Sequence, residues 1–106
     1  MIRGFDMLEM RRSLAKLLEL ADKTLREKIS QLNEEERKVL EYFIQHISVG
    51  SIIALRELRA FYRIPEPRNV INRLISLGLL EQGTGCYSLA KPLRDLLIKL
   101  IGTSHR

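Results

Sequence analysis

The stretch Arg68-Asn69-Val70-Ile71-Asn72-Arg73 carries four side chains of the kind that read nucleic acid. An arginine guanidinium forks onto the two acceptors of guanine, and an asparagine amide pairs with a donor and an acceptor of adenine. Ser76 adds a hydroxyl three residues later, and Thr84 and Lys91 supply groups that hydrogen-bond or neutralise phosphate. Arg68, Asn69, Asn72, Arg73, Ser76, Thr84 and Lys91 therefore form the candidate contact set, with double-stranded DNA as the expected partner.

Other chemistries find little to work with. Cys86 is the sole cysteine, and His46 and His105 lie far apart, so neither a disulfide nor a metal site is expected. Glu34, Glu35, Glu36 and Glu41 are explained by a helix start and a solvated face rather than by acid–base work. Gly83-Thr84-Gly85 is too short to cradle a nucleotide phosphate. The chain is expected not to be an enzyme and to carry no cofactor.

The charge supports a polyanion partner without demanding one. The net +5 is spread unevenly: residues 1–31 hold seven Lys/Arg against five Asp/Glu, residues 32–64 five against five, and residues 65–106 six against three. With 106 residues, 45% of them hydrophobic, one core is expected. No apolar run approaches the roughly 18 residues of a membrane span, and the start lacks signal-peptide character, so a soluble, cytoplasmic protein is expected.

The elements that must position the contact set follow from spacing. From Phe5 to about Gln31 nothing breaks a helix, and Met7, Met10, Leu14, Leu17, Leu18, Ala21, Leu25, Ile29 and Leu32 recur every three or four residues. This predicts one amphipathic helix of about seven turns over residues 1–32. Asn33 with Glu36 has capping-box spacing and opens a second helix bearing Val39, Leu40, Phe43 and Ile44 inward. Ser51-Ile52-Ile53 reads as a short strand, followed by a helix from about Ala54 to Tyr62 with Leu55, Leu58 and Phe61 inward.

Ile64-Pro65-Glu66-Pro67 interrupts that helix, and Pro67 suits the first turn of the next, which runs to about Leu77 with Val70, Ile71, Leu74 and Leu77 inward. Gly78 is a C′ candidate. Leu79 to Gln82 and Cys86 to Leu89 flank the glycine turn as a hairpin. After Lys91-Pro92, the run Leu93, Leu96, Leu97, Leu100 and Ile101 predicts a final helix within residues 93–106. The fold class is mainly α with a small β-hairpin.

The segment Asn69-Val70-Ile71-Asn72-Arg73-Leu74-Ile75-Ser76-Leu77-Gly78-Leu79-Leu80-Glu81 resembles the recognition helix and first wing strand of the winged helix-turn-helix superfamily, in the style of small bacterial and archaeal DNA-binding proteins. The resemblance spans about residues 33–92. It implies a helix set into the major groove, and a transcriptional regulator acting as a homodimer. The wing departs from the common pattern, because no Arg or Lys stands at its tip.

With so few phosphate contacts per chain, duplex binding calls for two subunits. The terminal helices offer a seam through Met7, Met10, Leu14, Leu17, Leu18, Ala21, Leu25, Leu97, Ile98 and Ile101, although the same residues would serve equally to close the core of one chain. The rival function is an adaptor or accessory subunit of a replication, transcription or processing complex, docking a protein partner through the N-terminal helix. The near-neutral middle of the chain and the uncharged wing favour it.

Overall fold

In the computed structural model, residues 17–104 are described in backbone, and side chains as far as residue 99. Helical residues 17–20 lead to α1 (Lys23–Ser30), α2 (Glu34–His46), β1 (Ser48–Gly50), α3 (Ser51–Ala60), α4 (Pro67–Ser76), β2 (Leu80–Gly83), β3 (Cys86–Leu89) and α5 (Lys91–Ser104). The fold is mainly helical with a three-stranded antiparallel sheet of order β1-β3-β2.

The expected single N-terminal helix is interrupted. Ala21 and Asp22 leave helical geometry, and Asp22 is extended (φ −72°, ψ 175°) with its Oδ1 accepting the Leu25 N–H at 2.9 Å. A short acceptor at this position satisfies an orphan donor of a new helix, and that local bond outcompetes continuation. The break lets Leu17 and Ala21 on one side of it, and Ile29 and Leu32 on the other, all reach burial.

The α2 start forms as its spacing predicts. Asn33 Oδ1 accepts the Glu36 N–H at 2.8 Å, and Glu36 Oε1 accepts the Asn33 N–H at 2.9 Å. Glu34, Glu35 and Glu36 also place negative charge where the helix dipole favours it. The helix ends at Ile47, whose φ of 67° is unusual for a β-branched residue. That turn is held by the Ile47 N–H donating to Phe43 O at 2.7 Å and the Leu89 N–H donating to Ile47 O at 2.8 Å, and it lays β1 against β3.

Here the structure corrects the predicted strand. The paired residues are Ser48–Gly50, with Val49 opposite Tyr87, and Ser51-Ile52-Ile53 open α3 instead. Gly50 supplies the helix start, and Ala54 and Leu58 become the buried stripe. Phe61, expected inward, is exposed.

α4 runs from Pro67 as expected and stops in a Schellman motif: the Gly78 N–H bonds to Ile75 O and the Leu79 N–H to Leu74 O, both at 2.9 Å. Gly78 takes φ 79° there, a conformation that favours glycine. The β2–β3 hairpin closes through Thr84-Gly85, with Gly83 opposite Cys86. The core gathers Leu17, Ile29, Phe43, Leu58, Ile71, Leu74, Tyr87 and Leu97, among others, from every helix and the sheet.

Candidate functional site

The face of α4 presents Arg68, Asn69, Asn72 and Ser76 to solvent, one group the sequence placed together. Arg73 is drawn away from it. Its Nε sits 2.5 Å from Glu36 Oε2, pairing a 67% exposed guanidinium with a carboxylate that is 5% exposed. Glu36 thus serves the α2 cap with one oxygen and Arg73 with the other. The Ser76 hydroxyl donates to Arg73 O at 2.7 Å, so its proton is used within α4.

The other two candidates are peripheral to that face in charge terms. Thr84 is exposed at the hairpin tip. Lys91 Nζ pairs with Asp95 Oδ2 at 2.8 Å, and its backbone N–H donates to Glu81 Oε2 at 3.0 Å, while Glu81 Oε1 lies 3.6 Å from Arg94. Lys91 and Arg94 are therefore balanced locally by Asp95 and Glu81, and the base of the hairpin offers phosphate little uncompensated charge.

The residues assigned to a dimer seam divide. Leu17, Ala21 and Leu97 are buried within their own chain. Leu18 and Leu25 are half-buried, both against the same core, and Ile98 is exposed. Met7, Met10, Leu14 and the side chain of Ile101 lie outside the described residues.

Spacing alone did not reveal the outer face of α3. Ile52 is 74% exposed and Ile53 half exposed, and Phe61, just past the helix end, is 75% exposed. Ile52 and Ile53 open α3 and Phe61 follows its end, so large apolar side chains stand in water at both ends of the helix. Beside it runs an open groove of about 430 Å³ lined by Ile52, Leu55, Arg56, Arg59 and Ala60. The signal was present in the sequence: once Ala54 and Leu58 point inward, the helical period turns Ile52, Arg56 and Arg59 outward.

Behind α3, Tyr42 of α2 donates its hydroxyl to Glu57 Oε1 at 2.5 Å, and its ring meets Phe43, His46 and Tyr62. Burial, then the hydrogen bond and charge of Glu57, push the Tyr42 hydroxyl well above the ordinary tyrosine range. Tyr62 is raised too, by burial and then by Glu57 and Glu41. The folded chain keeps protons that the unfolded chain releases, so this stability is intact below about pH 10 and is lost as pH rises through the folded-state values. The urea midpoint should accordingly fall as pH rises above about 10, and fall less in Tyr42→Phe. Equal slopes for the two proteins would exclude Tyr42 as a source.

Among the described residues no group of His, Cys, Asp and Glu is placed to hold a metal ion, and no helix is long and apolar enough to cross a membrane. No curated protein matches the chain. A family model, PolB1 Binding Protein 2, matches residues 33–95, from the α2 cap into α5. That stretch holds α2, α3, α4 and the whole sheet, more than half of the sequence, and the chain belongs to the PolB1 Binding Protein 2 family.

Proposed function

We propose that this chain is a non-catalytic accessory subunit of a DNA polymerase, PolB1, docking on it through the outer face of α3. Of the two functions the sequence offered, the family supports the accessory subunit over the homodimeric transcriptional regulator. The observation that carries the reading is the apolar surface that α3 leaves in water, Ile52 and Ile53 at its start and Phe61 just past its end. Water-exposed apolar area of this kind is what a protein interface removes, and buried apolar anchors dominate binding energy.

The order helix, strand, helix, helix, strand, strand, with β3 between β1 and β2, supports a winged helix-turn-helix used here as a docking module. The Arg68, Asn69 and Asn72 side chains favour a second contact, α4 lying against duplex DNA held by the polymerase. Arg73 and the hairpin contribute little to it, because their charges are already matched.

The test is co-elution of the purified chain with PolB1 on size exclusion at moderate salt. A stoichiometric complex is expected. Separate elution at micromolar concentrations of both proteins would defeat the assignment.

A further inference from the structure

The chemistry of the α3 groove says what kind of segment enters it. The groove is lined by the apolar Ile52, Leu55 and Ala60 and by the basic Arg56 and Arg59. Neither arginine makes an ion pair with any described residue. The one carboxylate on the helix, Glu57, turns inward to the Tyr42 hydroxyl. The face therefore combines unsatisfied apolar area with uncompensated positive charge.

Building on the polymerase reading, we infer that this groove receives a short amphipathic helix of PolB1, with apolar side chains facing Ile52 and Leu55 and Asp or Glu residues facing Arg56 and Arg59. Apolar anchors at helical spacing fill a groove of this kind, and carboxylates take the bidentate geometry of a guanidinium. An added strand gains nothing here, since the α3 backbone donors and acceptors are consumed within the helix. A second copy of the chain is opposed by charge: a two-fold contact through this face brings two sets of Arg56 and Arg59 together with no carboxylate in the groove lining to match them. Phosphate would satisfy the arginines but strand Ile52 and Leu55, which line the same groove, against a polyanion.

The test uses the full chain and PolB1. Ile52→Asp and the double change Arg56→Glu with Arg59→Glu should each weaken the complex about thirty-fold or more, the scale of a lost interface anchor. All three positions are exposed, so folding is checked simply by circular dichroism. Chemistry is tested separately with Arg56→Lys: a carbodiimide joins an amine to a carboxylate at zero length, and mass spectrometry should find Lys at position 56 joined to an Asp or Glu of PolB1. A wild-type complex whose affinity none of these changes moves would overturn the groove assignment and leave the polymerase reading standing. A cross-link from position 56 to a second copy of the chain would overturn it in favour of self-association, and loss confined to binding of random duplex DNA would do so in favour of nucleic acid. Absence of any wild-type complex defeats both readings together.

Discussion

Leu17→Ala is expected to destabilise the protein by about 2–5 kcal/mol, the range for emptying a fully buried leucine site. Leu17 has no exposed surface and belongs to the same cluster as Phe43, Leu58 and Leu97. For a domain of this size the fall in Tm is on the order of 10–20 °C. The same residue was one of those expected at a seam between subunits, and the two roles differ in a measurable way. A core leucine gives a Tm shift independent of protein concentration, whereas a seam residue gives one that shrinks as concentration rises and association recovers. Thermal melts of Leu17→Ala over a hundredfold range of concentration should superimpose. A concentration-dependent shift would return Leu17 to an intersubunit surface.

Changing Glu36 should produce the second large effect, with two substitutions separating its roles. Glu36→Ala removes both the reciprocal cap on Asn33 and the partner of Arg73, and is expected to cost about 1–3 kcal/mol, read from the urea midpoint. Most of that cost comes from the cap, because Arg73 is largely solvated and its ion pair is correspondingly screened. Glu36→Gln keeps an acceptor suited to the capping box and removes the charge. It should cost much less stability while releasing the Arg73 guanidinium to the face that holds Arg68, Asn69 and Asn72. Weak binding to random duplex DNA should then tighten, and its salt dependence steepen by about one counterion. Unchanged DNA binding in Glu36→Gln would mean that α4 does not approach the phosphates at all.

What could be read from the sequence was whatever rested on short-range spacing. The Asn33 and Glu36 cap, Pro67 at a helix start, Gly78 after a helix end and the turn before Cys86 each depend on residues within a few positions of one another, and all four stand in the structure. The break at Asp22 did not show, because the apolar repeat continues through it without a glycine or proline, and an aspartate on a solvated face looks the same as one capping a helix. Ile52-Ile53 looked like a strand on β-branching, but the burial of Ala54 and Leu58 in a helix overrode that preference.

The candidate site was less legible for a similar reason. Arg68, Asn69 and Asn72 share a face because α4 is regular, and a helical wheel suffices to find them. The capture of Arg73 joins residues from α2 and α4, and periodicity within one element carries no trace of a partner in another. Exposure of Phe61 depends equally on tertiary packing: at helical spacing from Leu58 it read as core, yet it falls where α3 has ended and the chain turns toward Ile64. An apolar residue left in water is visible only once the fold has decided what to cover.

The central claim, that this is a protein-docking subunit of a polymerase, is tested most directly by isothermal titration of the chain into PolB1 alongside a parallel titration into random duplex DNA at the same moderate salt. Saturable binding to PolB1 is expected, with a negative heat-capacity change from buried apolar surface, and at most weak, salt-sensitive binding to the duplex. Tight duplex binding with no heat of association with PolB1 would contradict it, and would make α4 rather than α3 the working face of the molecule.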